Sequence, residues 1–155
     1  QKQGRIINIS SMLGLLPAPY MATYSATKHA IEGYSESLDH ELRTRGIRVS
    51  VIEPAYTKTN FEANAPALDR KIEEYAVARK ALAKLMKTAI EGGDDPLVVA
   101  KVVLKAANAK NPKIRYPAGK LACRLNFLRK FAPAVMMDKG IRQEMKLDKL
   151  DQLAH

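Results

Sequence analysis

The run Arg5-Ile-Ile-Asn-Ile-Ser10 is too continuously apolar for a strand with one wet face. It predicts a strand inside a parallel sheet. The strand ends in the hydroxyl pair Ser10-Ser11, and Gly14 and Pro17 punctuate the loop that follows. A long helix is then expected over residues 20–45, with Ala22, Ala26, Ala30, Ile31, Tyr34, Leu38 and Leu42 as its packing stripe. Gly46 suits its C-cap, and Ile47-Arg-Val-Ser-Val-Ile52 reads as the next strand. Strand, helix and strand joined by short turns make a βαβ unit, right-handed almost without exception.

Inside that helix, Tyr24-Ser-Ala-Thr-Lys28 sets a phenol and an ammonium four residues apart, on one face and one turn from each other. A free phenol titrates near pH 10, too high to exchange protons usefully at neutral pH. A fixed cation a few ångströms away favours the phenolate. Ser11 lies thirteen positions before Tyr24, enough chain to leave a strand, cross a loop and return in a helix. A serine that grips a carbonyl oxygen, a tyrosine that protonates it and a lysine that tunes the tyrosine make a carbonyl-reduction site. Taken alone, the pair also reads as a packing aromatic beside a solvated lysine. Either Ser10 or Ser11 also reads as a loop cap.

Together, Ile-Asn-Ile-Ser-Ser (7–11), Gly14, Pro17, Tyr24-Ser-Ala-Thr-Lys28 and Val51-Ile-Glu-Pro-Ala-Tyr-Thr-Lys-Thr59 resemble the short-chain dehydrogenase/reductase family. The last stretch is similar to the family's strand and Pro-Gly-x-x-x-Thr loop, with Ala55 in the glycine position. The resemblance runs to about Tyr116-Pro117. Arg115-Tyr116-Pro117 and the basic, apolar tail look most like 17β-hydroxysteroid and retinol dehydrogenases. It implies an α/β chain: the C-terminal part of a Rossmann-like, doubly wound parallel sheet with helices on both faces. It also implies an NAD(P)-dependent oxidoreductase interconverting an alcohol and a ketone or aldehyde. Ser11, the second serine of the pair, would grip the carbonyl oxygen, Tyr24 would supply the proton and Lys28 would tune it. Tyr24, Lys28, Pro54, Thr57 and Thr59 would contact the cofactor, NAD or NADP. Thr57 and Thr59 also read as local turn caps.

The glycine-rich turn that holds a dinucleotide pyrophosphate has no counterpart here: Gly14 stands alone and Gly92-Gly93 closes a helix. The chain therefore reads as one domain fragment over 1–155, the catalytic half of a longer protein and inactive without the other half. Further on, a helix is expected over residues 68–91, within a segment of about 60–93 that covers the substrate in the family and includes Phe61. Asp94-Asp95-Pro96 starts another helix, running to about residue 109. Lys113-Ile-Arg-Tyr116 is a short strand, and a basic helical tail fills 119–155 with a break near Pro133. Met12, Leu13, Tyr20 and Met21 flank the site loop, as lining of an apolar substrate pocket or as core.

The formal net charge is +10, much of it late in the chain. No basic groove with stacking aromatics is visible, so nucleic acid is not an expected partner. Leu121, Leu125, Leu128, Phe131 and Val135 recur near helical spacing, either to cover the domain's own core or to meet an anionic membrane surface. The single cysteine, Cys123, excludes an internal disulfide and suits a reducing compartment such as the cytoplasm. His29, His40 and His155 share no ligand spacing, so no metal is expected. Apolar and small residues on more than one side of the 20–45 helix point to a homodimer or homotetramer. The expected substrate is an apolar alcohol or carbonyl compound. Two other readings remain: a related nucleotide-sugar epimerase or dehydratase, and a non-catalytic scaffolding member with a membrane-associating tail.

Overall fold

A computed structural model describes residues 3–60, 64 and 72–147. Two compact units form, Gln1–Ala55 with Asp95–Phe131 and Tyr56–Asp94 with Ala132–His155.

In the first unit, β1 (Gly4–Ile9), β2 (Ile47–Pro54) and β3 (Arg115–Ala118) pair in parallel in the order β1-β2-β3. The central strand β2 is buried from Val49 to Glu53, as a strand covered on both faces must be. α1 (Ala22–Arg43) connects β1 to β2, so the expected βαβ unit is present. Gly46, at φ 76°, makes the left-handed turn into β2 that a side chain would resist. α3 (Pro96–Ala107) packs on the other face of the sheet. There Ile52, Ala106, Tyr116 and Ala118 form a core, with Ile7, Val99, Val102 and Val103 against it. The Asp95 side chain accepts from the Leu97 N–H at 2.8 Å and Pro96 opens the helix, as the sequence predicts. The third strand lies two residues later than the 113–116 expected. Pro117 is tolerated in it because β3 is an outer strand of this sheet.

The face α1 turns inward is not the expected apolar stripe. Ala22, Ala26, Ala30 and Tyr34 are exposed, and Ile31, Leu38 and Leu42 are half-buried. The buried residues are Ser25, Glu32, Ser35 and Asp39. They recur at helical spacing; Glu32, Ser35 and Asp39 find polar partners on the sheet side, and the Ser25 hydroxyl is buried without one. Asn8 Nδ2 donates to Ser35 Oγ at 2.8 Å. Asp39 accepts from Arg48 Nε and from the Val49 N–H, both at 2.8 Å, and from Arg43 one turn along α1. Burial disfavours the Asp39 carboxylate, but the hydrogen bonds from Arg48, Arg43 and Val49 outweigh that and hold its pKa well below the ordinary range.

α4 (Lys120–Phe131) completes the first unit and buries Ala122 and Asn126. Leu121 and Phe131 are exposed and Leu125 and Leu128 half-buried, so the leucine spacing does not mark the buried side of the helix. Phe127 and Phe131 meet in the open with their rings tilted at 45°, centroids 4.8 Å apart.

The second unit contains α2 (Ala76–Glu91) and α5 (Ala134–Glu144). Val135 of α5 is exposed too. Of the helix expected over 68–91, the described residues are helical from Ala76. Ile72 is extended and Glu73–Tyr75 is a single 3-10 turn, while residues 68–71 lie outside those described. The Ala/Lys/Glu-rich composition favours helix, but three residues of tight turn interrupt the pattern. Thr57 forms an isolated parallel bridge with Asp94, and Asp94 N–H donates to the Tyr56 carbonyl at 2.9 Å. A Cβ at Gly93 would come within 2.7 Å of that carbonyl oxygen, so the closing turn requires glycine. Burial, then the Glu144 charge, pushes the Tyr56 phenol up. Phe61 and His155 lie outside the described residues.

Candidate active site

The elements that carry Ser11, Tyr24 and Lys28 meet at the carboxyl end of β1, the end where open α/β sheets place ligands. α1 sets Tyr24 and Lys28 one turn apart, and the Lys28 ammonium lies 5.6 Å from the centre of the Tyr24 ring. Lys28 Nζ also donates to the Ile9 carbonyl at 3.1 Å, which ties the helix to the last residue of β1. Both side chains are half-buried. Burial lowers the Lys28 pKa, and the Glu32 carboxylate opposes that shift.

Ser10 follows β1 directly, its N–H donating to the Ile52 carbonyl at 2.8 Å. Its hydroxyl is buried without a hydrogen-bond partner. Ser11 caps a 3-10 turn at Met12–Gly14, its Oγ accepting from the Leu13 N–H at 3.2 Å. The capping that the sequence offered as an alternative for Ser11 is thus present. Capping fixes the residue's backbone and still leaves a half-buried hydroxyl with a proton to donate. Met12 is core at 3% exposure, Leu13 and Met21 are half-buried and Tyr20 is exposed. Tyr20 also takes φ 60°, a left-handed conformation uncommon for tyrosine, just before α1 begins.

Pro54 ends β2 in the same unit. Thr57 and Thr59 belong to the second unit, where Thr57 bridges to Asp94 and Thr59 is exposed. Among the described residues no group of three histidine, cysteine or acidic side chains could hold a metal. Nor is any described helix long and apolar enough to cross a membrane.

Motif reading missed a buried polar cluster beside the site. Glu53 of β2 is wholly buried. Asn126 Nδ2 donates to its Oε2 at 3.0 Å, and Arg115 Nε lies 3.4 Å from its Oε1. Burial, then the nearby Glu32 charge, raises the Glu53 pKa to about 7 against the pull of Arg115, Asn126 and Lys130. A glutamate inside a run as apolar as Val49-Ser-Val-Ile-Glu53 is the one sequence signal of such a group.

The unfolded chain ionises Glu53 near 4.5 and the folded one near 7, so folding retains a proton between those values. Stability from this group is whole below about pH 4.5 and is lost as pH rises to about 7. The span corresponds to roughly 3 kcal/mol. Urea titrations across that range are expected to show the decline in the parent and its loss in the Glu53→Gln variant. An identical decline in both would clear Glu53 of the effect.

The family model for short chain dehydrogenases matches residues 1–69. An uncharacterized oxidoreductase of Schizosaccharomyces pombe is 35% identical over 119 residues, 77% of this chain and 50% of that protein. The chain belongs to the short-chain dehydrogenase/reductase family. The 3-ketodihydrosphingosine reductase of Bacteroides thetaiotaomicron is 34% identical over 77% of this chain and 45% of that one. A solved short-chain dehydrogenase/reductase from Burkholderia phymatum, in complex with NAD, superposes with a TM-score of 0.62 at 25% identity. That match covers 73% of this chain and 42% of the other. The α/β fold with its parallel sheet is the one the family uses, as the sequence predicts. The chain spans about half the length of the curated relatives it matches.

Proposed function

We propose that the protein is an NAD(P)-dependent oxidoreductase that interconverts an alcohol and a ketone or aldehyde, with this chain as the catalytic half of its Rossmann domain. The observation that carries the reading is the Tyr24–Lys28 pair, set on one face of α1 and held to the end of β1 through the Ile9 carbonyl. The solved relative that binds NAD and the relative named for reduction of a keto-lipid support both cofactor class and chemistry.

The residues present fit the nicotinamide end of such a cofactor. Lys28 offers a half-buried ammonium to ribose hydroxyls, and Tyr24 stands one turn away on the same face. Pro54, Thr57 and Thr59 are the proposed contacts to the nicotinamide side. When bound, the cofactor supplies or accepts the hydride. In the reducing direction, Ser11 donates a hydrogen bond to the carbonyl oxygen and fixes its place. Tyr24 transfers its phenolic proton to the oxygen as negative charge develops there. Lys28 stabilises the phenolate left behind and holds the ribose. Oxidation runs the same proton path backwards.

Spectrophotometric turnover of NADH and NADPH by the full-length protein across a panel of apolar ketones, aldehydes and alcohols tests the reading. Cofactor consumption with a carbonyl substrate is the expected result. Conversion of nucleotide sugars without net cofactor change would assign it instead to the epimerase or dehydratase class. Cofactor binding with turnover of neither panel would leave a scaffolding member.

The assembly proposal rests on a different face of α1. Ala22, Ala26, Ala30 and Gly33 leave it shallow, and Tyr34 projects from it at 62% exposure. A self-complementary C₂ contact through this face suits the homo-oligomer that the family resemblance implies. Sedimentation of the full-length protein at micromolar concentration is expected to give a dimer or tetramer. A clean monomer would remove the interface and leave the catalytic assignment standing.

A further inference from the structure

Behind the Tyr24–Lys28 pair, α1 carries a second charged group that the proposed proton path does not use. Glu32 lies one turn beyond Lys28 on the same inward face and is 4% exposed. Its Oε2 accepts from Arg115 Nε at 3.0 Å, a partner 83 positions away, and its Oε1 is buried without a hydrogen-bond partner. Its stem fills the space that Gly14 leaves open. A Cβ on Gly14 would stand 2.9 Å from Glu32 Cγ, 2.7 Å from Ser10 Oγ and 3.0 Å from the Lys28 carbonyl oxygen. One side chain therefore packs under the loop that carries Ser11 and adjoins the turn of helix that carries Lys28.

The charges around it need each other. α1 contributes Lys28, Glu32 and Glu36, β2 contributes Glu53, β3 contributes Arg115 and α4 contributes Lys130. Arg115 reaches Glu32 and Glu36 at 3.0 Å and Glu53 at 3.4 Å. Burial works against its cationic form, and the three carboxylates outweigh that, so the guanidinium holds its charge more firmly than usual. With Glu53 protonated in the acid half of the neutral range, Arg115 is left chiefly to Glu32 and Glu36. A buried carboxylate so held presents a fixed negative charge to the nearest other cation on its helix face, which is Lys28.

We propose that Glu32, clamped by Arg115 beneath Gly14, is a positioning residue of the active site that keeps Lys28 in its ammonium form and seats the Ser11 loop. Without that charge, the effect of burial on Lys28 is no longer opposed by Glu32, and the balance moves toward the neutral amine. A neutral amine cannot stabilise the Tyr24 phenolate. The inference rests on the reading of Lys28 as the group that tunes Tyr24, and its test is built to fail separately.

The test follows the Lys28 side chain by NMR in full-length protein carrying isotope-labelled lysine, with the resonance assigned by its loss in Lys28→Met. Parent, Glu32→Gln and Glu32→Asp are titrated, and the pH profile of turnover is recorded for each. Glutamine keeps the stem under Gly14 and an oxygen for Arg115 but carries no charge. In Glu32→Gln the Lys28 titration is expected to move to lower pH, with the basic limb of turnover moving the same way. Glu32→Asp, which keeps the charge but draws it back on a shorter stem, is expected to give a smaller shift in the same direction. A folded Glu32→Gln protein in which Lys28 titrates as in the parent overturns the proposal. If that variant does not fold, Glu32→Asp carries the comparison, because its shorter stem draws the charge back. An unmoved Lys28 titration there overturns the proposal equally. A shifted Lys28 in a protein that turns over no carbonyl compound upholds the Glu32 assignment and defeats the proposed reaction instead.

Discussion

Replacing Tyr24 by phenylalanine in the full-length protein is expected to lower turnover by about 10²–10⁴-fold, the usual contribution of a positioned general acid. Folding and cofactor affinity are expected to stay near the parent's. Tyr24 is half-buried on α1, and phenylalanine keeps its ring while removing only the proton donor. The Lys28 ammonium, 5.6 Å from the ring centre, keeps its anchor on the Ile9 carbonyl and its place over the ring in the variant. Turnover and cofactor binding measured side by side decide the matter. A loss smaller than about 10-fold would take Tyr24 out of the proton path.

The largest stability effect is expected at Asp39. Its carboxylate is wholly buried and accepts from the Val49 N–H at 2.8 Å, twice from Arg48 and from Arg43. Asp39→Ala leaves a mostly buried guanidinium and a buried backbone N–H without an acceptor. Breaking such a pair costs about 3–5 kcal/mol. The lower end applies here because Arg43 and part of Arg48 reach water. Chemical denaturation of the full-length protein should show that loss, and Asp39→Asn, which keeps an acceptor for Val49, a smaller one. A loss under about 1 kcal/mol, the range of exposed pairs, would mean the cluster contributes little. The pH dependence has the opposite sign to that of Glu53. Asp39 has a depressed folded pKa, so its contribution is whole above the ordinary carboxylate range and is lost as pH falls.

The sheet and its crossover were legible because they rest on contiguous apolar text. Residues 5–10 and 47–52 read as strands, and Gly46 marks the turn between helix and strand, but only β2 is buried as expected: β1 is an outer strand of this sheet and leaves Ile6 and Ile9 exposed. The spacing of Tyr24 and Lys28 needs only helical geometry, and the structure sets the two side chains together. The buried side of α1 was not legible. Apolar periodicity selects Ala22, Ala26, Ala30 and Tyr34, but the helix buries Ser25, Glu32, Ser35 and Asp39. The partners of Ser35 and Glu32 come from distant strands, 27 positions away for Asn8 and Ser35 and 83 for Glu32 and Arg115. A polar residue is read as outward unless its distant partner is known, and pairing at that range is a property of the fold. The same limit hid Glu53 and Asn126, joined across 73 positions. The helix expected over 68–91 is not continuous through residues 72–75 for a local reason, since composition cannot show where a 3-10 turn interrupts a helix-forming run.

Hydride transfer is the central claim, and isotope transfer tests it most directly. The full-length protein is given reduced nicotinamide cofactor deuterated at the transferring position, together with the carbonyl panel, and the alcohols are analysed by mass spectrometry. The account predicts one deuterium on the former carbonyl carbon of at least one product, at a rate that falls steeply in Tyr24→Phe. Cofactor binding without deuterium in any product, or labelled product formed equally fast by Tyr24→Phe, would contradict it.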